Sequence, residues 1–213
     1  MSMQPFIEAV GRAVVLPQPN IDTDIIIRIN RLTESRTHPE GRRSLGRWAF
    51  EALRYDANGA MRLDCMLNDP AWRHAPILLA GPNFGCGSSR EGAVWALMQA
   101  GFRCVISESF GDIFYGNCFQ NGMLPIVVSA VEMAALASEA SRGAALHVDL
   151  LQQTVSAPGM ARIPFVIDGC RRAALLQGLD DVAQSMQQAA AIDVWQANDR
   201  VARPWMWPAW RGR

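Results

Sequence analysis

The sequence predicts an α/β protein whose mostly parallel sheet is covered by helices, and three observations predict it. From Ala75 onward, short apolar runs rich in β-branched residues alternate with longer helical patterns. Glycines close those helical patterns at Gly101, Gly122 and Gly178. Strand, helix and strand in repeated succession favour parallel pairing, because the crossover helix returns each strand to the same direction.

The elements follow in order. "GRAVVL" is a short apolar strand, and a Pro and Asn turn leads through "DTD" into a second β-branched run, read as another strand. Asp22 and Asp24 flank a threonine there, and an Asx-type turn explains them as well as a functional pair does. The segment from Thr33 to Arg42 reads as a polar, mobile, arginine-bearing loop, and Arg43 to Leu53 as a helix. "APILLAG" is a buried strand, "SSREGAVWALMQAG" a helix, "RCVIS" a strand, "SFGDIFYGNCFQNG" a helix and "MLPIVV" a third strand. "AVEMAALASEA" is a helix, and "ALHVDLLQQTV" and "RIPFVID" are strands paired through "SAPGM". "GCRRAALLQG" is a short helix and "LDDVAQSMQQAAAIDVWQAND" a longer one. One domain, 1–200, is expected, with a Trp/Pro/Arg-rich tail, 201–213. Trp205, Trp207 and Trp210 in that tail imply docking, either on its own domain or on a partner.

Composition narrows the function classes. Lys plus Arg balance Asp plus Glu at 20 each, and charged residues make up 19% of 213, so no basic field exists for nucleic acid and none for a membrane surface. The N-terminus carries neither a charged nor an apolar leader pattern. The 5 cysteines are scattered, odd in number and without a C-x-x-C pair, as suits reduced thiols in the cytoplasm. That scatter, with 3 unclustered histidines, predicts no metal site, iron–sulfur cluster or structural zinc held by this chain alone.

The chemistry is expected at "GPNFGCGSSREGAVWAL", where a strand hands over to a helix. Ser88 and Glu91 have the S-x-x-E spacing of a capping box. That reading leaves Gly85, Gly87, Ser89 and Arg90 unexplained. Glycines permit a tight turn and close ligand approach, the helix start favours anions, and a guanidinium suits a carboxylate or phosphate. No lysine is present for a phosphate-binding P-loop, arginine stands where a dinucleotide fingerprint needs its third glycine, and neither serine lies between glycines as in a nucleophile elbow. Cys86 lacks a nearby histidine to make it a nucleophile. A serine at the positive end of a helix beside arginine can instead serve as a base once deprotonated.

At these residues the chain resembles the small subunit of isopropylmalate dehydratase and the swivelling domain of aconitase. The matching pieces are "NIDTDIII", "NFGCGSSRE" followed by "WAL", "GFRCVIS" with "DIFYGNCFQNG", and "FVID" with "GLDD", in family order from about Ile21 to Asp181. The resemblance implies a three-layer β/β/α swivelling domain of the aconitase type with a mostly parallel central sheet. It also implies a large-subunit partner carrying an iron–sulfur cluster, and dehydration and rehydration of a small hydroxy diacid. Carried over by position, Ser88 is the alkoxide base and Arg90 the carboxylate anchor, Ser89 positions that carboxylate, and Thr23 and Asp24 are the family's "TD" pair. Asp24 then supports a histidine of the partner. Arg28 and Arg31 are expected near the substrate mouth. The chain departs from the family's "SSREHAPWAL" at Gly92 and Val94, and it has Ala173 in place of another family histidine. Two alternatives accompany this reading: a paralogous hydro-lyase for another di- or tricarboxylic acid, and a non-catalytic binding subunit.

Overall fold

The computed structural model describes residues 3–207 apart from Arg73 and Ser89. Ser89 and Trp210 therefore lie outside the described residues. In chain order the elements are β1 (Glu8–Gly11), β2 (Ala13–Leu16), α1 (Thr23–Ile26), α2 (Ile29–Thr37), α3 (Leu45–Trp48), α4 (Glu51–Arg54), β3 (Ile77–Ala80) and α5 (Glu91–Gln99). Then come β4 (Cys104–Ser107), α6 (Asp112–Asn121), β5 (Leu124–Val127), α7 (Ala130–Ser141), β6 (Leu146–Asp149), β7 (Thr154–Ser156) and β8 (Ile163–Pro164). The chain ends with α8 (Gly169–Gln177), α9 (Asp181–Met186), α10 (Ala189–Ala202) and a 3-10 turn at Pro204–Met206.

Two sheets form. β2, β3, β4 and β5 lie side by side in sequence order, all parallel, with Ala13 opposite Ile77 and Ile77 opposite Cys104. β1, β6, β7 and β8 make a separate antiparallel sheet. Every residue of β3 and β4 is buried, as a parallel strand covered on both faces requires. One face sends Ala13, Ile77, Leu79, Ile106 and Leu124 into a core shared with Ala9, Leu146, Val148 and Val155 of the second sheet, and with Leu136 of α7 and Leu175 of α8. The alternate residues Val14, Leu78, Ala80 and Val105 meet Phe50, Ala93, Leu97 and Phe114 on the helix side. Strand periodicity alone thus divides the apolar residues between two cores and produces the three layers. Among the described residues no helix is long and apolar enough to cross a membrane.

Several local expectations are corrected. The β-branched run after "DTD" is helical, because the Asp22 carboxylate accepts the Ile25 amide at 2.7 Å and starts a turn that overrides strand propensity. The expected loop from Thr33 is helix α2 as far as Thr37, with a 3-10 turn at Gly41–Ser44 beyond it. The expected helix from Arg43 to Leu53 breaks at Phe50, whose φ of 56° is left-handed and whose ring is fully buried in the helix-side core. Burying the ring outweighs the backbone cost. "ALHVDLLQQTV" turns back on itself to give both β6 and β7, with Gln153 at φ 51°. The last expected helix is two, α9 and α10.

Candidate active site

The glycine turn lies beyond the carboxyl ends of β2, β3 and β4, where open parallel sheets place their ligand sites. It is held on both flanks by backbone. On one side Gly81 N–H donates to Leu16 O at 2.9 Å, Asn20 to Pro82 at 2.9 Å, Gly85 to Ile21 at 2.8 Å and Thr23 to Cys86 at 3.1 Å. On the other, Phe84 donates to Ser109 O at 3.1 Å and Gly111 to Phe84 O at 2.9 Å. The turn so extends the strand order by single bridges, Asp22 to Cys86 and Phe84 to Phe110. Two glycines make this possible. A β-carbon on Gly81 would stand 2.3 Å from Gln18 O, and one on Gly85, at φ +71°, would stand 2.2 Å from a ring carbon of Phe114.

Two serines and two asparagines complete the support. Ser107, fully buried, donates to Gly81 O at 2.8 Å, and its hydroxyl is also 2.8 Å from Ser109 O. Asn83, at φ 58°, donates through its amide to Asn20 at 2.8 Å. The sequence reading passed over these four residues. The available signal was their type: small polar residues just past strand ends, where turn carbonyls need partners.

From this platform Ser88 is presented exposed, with its carbonyl fixed by two donors, Arg90 N–H at 2.9 Å and the Thr23 hydroxyl at 3.1 Å. Thr23 is itself buried, and its Oγ1 lies 3.4 Å from Ser88 Oγ. The Arg90 guanidinium contacts the Asp24 carboxylate as an ion pair. The fold therefore brings Thr23, Asp24, Ser88 and Arg90 together across more than 60 residues of chain.

The capping box does not form. α5 begins at Glu91 with Arg90 in the cap position and no side-chain cap. Glu91 instead accepts from Asn121 Nδ2 at 3.0 Å, while Asn121 Oδ1 accepts from Trp95 Nε1 at 2.9 Å, so both groups tie α5 to α6. This frees the Ser88 hydroxyl from the cap. A capping box does exist at Ser129 and Glu132, where α7 starts. Of the two aspartates, Asp22 is the Asx cap and Asp24 the member free to pair with Arg90.

The two arginines expected at the mouth have partners of their own. Arg31 Nε and its terminal nitrogens bind Glu51 at 3.0 and 2.5 Å and Glu34 at 2.6 Å, and its guanidinium lies over Trp48. Those carboxylates hold Arg31 still more firmly protonated than usual. Arg28 is exposed, lines a surface cleft with Trp48, Glu51 and Tyr55, and acts on Glu51 by charge. Neither has a hydrogen bond to Ser88 or Arg90 among the described residues. Gly92, where the family's histidine is missing, has the end of the Leu32 side chain packed over it.

Among the described residues, the donors are not grouped as a cluster or metal requires. Cys104 and Cys118 are buried, and burial pushes both thiols far up from their ordinary range, which disfavours the thiolate a metal needs. Among the described residues no three His, Cys, Asp or Glu side chains are grouped to hold an ion.

Comparison with known proteins agrees with this architecture. The family of the aconitase C-terminal domain matches residues 3–131. Proteins called 3-isopropylmalate dehydratase small subunit from Sinorhizobium fredii and Agrobacterium fabrum are each 46% identical over 205 residues, covering 95% of this chain and 100% of theirs. The one from Dinoroseobacter shibae is 45% identical over 206 residues, covering 96% and 100%. A crystal structure of a 3-isopropylmalate dehydratase from Methanocaldococcus jannaschii superposes with a TM-score of 0.64 at 25% identity, covering 88% of this chain and 99% of that one. With the parallel sheet, the second sheet and the bridged glycine turn in place, the chain belongs to the 3-isopropylmalate dehydratase small-subunit family, built on the aconitase C-terminal domain.

Proposed function

We propose that this chain is the small subunit of a heteromeric hydro-lyase that isomerises isopropylmalate by dehydration and rehydration in leucine biosynthesis. The observation that carries the reading is the convergence of Ser88 and Arg90, beside Thr23 and Asp24, on a turn locked from both sides. Ser88 Oγ is the base that takes the proton from the carbon beside a substrate carboxylate. Its position just ahead of uncapped α5 places it in the positive end of the helix field, which lowers the cost of an alkoxide. Thr23 Oγ1, whose own hydrogen goes to the Ser88 carbonyl, lies 3.4 Å from that oxygen and is placed to accept the Ser88 hydroxyl hydrogen before it is removed.

Arg90 anchors a carboxylate of the diacid through its planar fork. Its Asp24 partner is the resting counter-ion. Asp24 is half exposed, and ion pairs of that kind contribute about 0–1 kcal/mol. A substrate carboxylate can therefore replace it at little cost, freeing Asp24 to face a group of the partner. Ser89 belongs to the same anchor by its place in the chain between the two.

We assign the iron–sulfur cluster of this assembly to the large subunit, a reading supported by the lack of a grouped donor set among the described residues of this chain. The proton-abstracting and carboxylate-binding half of the reaction is what this chain supplies. Five free, scattered cysteines suit an assembly that works in the cytoplasm. Reconstitution with the large subunit and assay with isopropylmalate tests the reading. Turnover dependent on both chains supports it. Turnover of a different diacid alone moves the chain to a paralogous hydro-lyase, and full turnover by Ser88→Ala makes it a non-catalytic subunit.

A further inference from the structure

α10 is a helix that the rest of the domain does not use. None of its side chains is buried, and it packs chiefly against its own following 3-10 turn. There Asp199 accepts from Arg203 Nε at 2.6 Å and from Trp207 Nε1 at 2.8 Å, while Arg200 lies over the Trp207 ring. Ile192 and Trp195 stand three apart on one side of α10, and Val194 and Val201 seven apart on the other, all exposed. Trp205 at 73% and Met206 at 60% exposure continue the apolar surface past the helix end. An isolated helix of this length is marginal in water, and one apolar on both sides is ordinarily covered.

We infer that α10 and the turn after it form a docking arm for the large subunit, an inference that rests on the proposed function. One observation selects this occupant over a second copy of the chain. The arm is rooted where Asp180, Asp181 and Val182 of the α9 start share a cleft with Glu91, and Glu91 is the residue next to Arg90. A partner that completes the Ser88 and Arg90 site must approach that neighbourhood, so the arm extends from the edge of the same contact region. Relatives that are themselves called small subunits align over 95% of this chain, and the unaligned twentieth holds fewer residues than α10, so the helix is not wholly peculiar to this chain.

The experiment uses the full chain and the large subunit with which it turns over isopropylmalate. Ile192→Asp with Trp195→Asp is expected to leave the isolated chain folded with an unchanged melting temperature, because α10 contributes no buried side chain. It is expected to weaken subunit association by about 30-fold or more, the scale for losing a buried tryptophan anchor, measured by titration calorimetry. Val131→Asp, exposed on α7, is the control and should leave affinity unchanged. An unchanged affinity for the double variant overturns the arm while leaving the proposed function standing. So does a dimeric isolated chain that the double variant turns into a monomer, which would give the helix to a second copy, or a large fall in its melting temperature, which would give it to this domain. A wild-type chain that binds no large subunit overturns the proposed function and the arm together.

Discussion

Leu32 lies over Gly92, with its Cδ2 2.5 Å from the point that a β-carbon on residue 92 would occupy. The two belong to different elements, α2 and α5, and the absence of one side chain is filled by the other. Gly92→His is therefore expected to destabilise the chain by about 1–3 kcal/mol through overpacking. Adding Leu32→Ala should relieve it, so that the double variant is less destabilised than the sum of the singles by about 1 kcal/mol. Urea midpoints of the four proteins check this, and strict additivity would contradict the contact.

Ser88→Ala should lower kcat of the reconstituted enzyme by about 10²–10⁴-fold, the scale of a lost proton-transfer group. KM should move little. The melting temperature should also hold, because Thr23 and Arg90 fix the Ser88 carbonyl, which alanine retains. Steady-state kinetics beside a thermal melt separates the two effects.

Arg90→Lys keeps the charge and loses the fork, with an expected loss of about 10- to 100-fold in kcat/KM, the scale of one charge-assisted hydrogen bond. Asp24→Asn removes a carboxylate that competes with substrate for the same guanidinium. Its KM should fall or stay level while kcat drops, and a raised KM with unchanged kcat would reverse the role given to Asp24.

The two left-handed glycines of the turn should respond unequally. Gly85→Ala forces a methyl into the Phe114 ring at φ +71°, and about 2–4 kcal/mol of stability is expected to be lost. At Gly87, φ is +90° but the nearest atom to a new methyl is 3.5 Å away, an ordinary contact. There only the backbone term remains, about 1–2 kcal/mol. Denaturant unfolding of both variants reads the difference.

The pH dependence of stability has an assigned contributor at Glu51. Hydrogen bonds from Arg31 hold its carboxyl below the ordinary glutamate range, against the opposing effect of burial. A carboxylate depressed in the folded state stabilises fully above its unfolded pKa of about 4.3, and that stabilisation is lost as pH falls through the folded value. Glu51→Gln should cost about 1 kcal/mol at neutral pH, and the gap from wild type should close in acid below about pH 4.

How much was legible in the sequence differs by element. The parallel core was readable because "PILLA", "CVIS" and "LPIV" are short and apolar, with helical patterns between them that end in glycine. The stretch from Ile25 to Leu53 was not, because its structure is decided by one Asx cap at Asp22, by a buried Phe50 that accepts a left-handed backbone, and by an arginine that joins nearby Glu34 to Glu51, 20 residues away. At the site, Thr23, Asp24, Ser88 and Arg90 were legible by resemblance and do converge. The partners of Arg28 and Arg31 were not legible, because proximity in sequence to "DTD" says nothing about which way the chain turns a guanidinium. The capping-box spacing at Ser88 misled because S-x-x-E specifies a distance along a helix only if the helix has already begun, and this one begins at Glu91.

The single bridges that flank the glycine turn have a consequence for its motion. Three chain segments, 20–23, 82–88 and 109–111, bond to one another through the amides of Asn20, Thr23, Phe84, Gly85 and Gly111 rather than through regular strands. None can open without breaking bonds to its neighbour, so they constitute one opening unit. Amide hydrogens of Thr23, Phe84, Gly85 and Gly111 should exchange with solvent at similar free energies, slower than exposed turns and faster than the strands beneath. The reactive serine thus rides on a platform whose breathing is collective, and a loosening at Ser109 would be felt at Thr23.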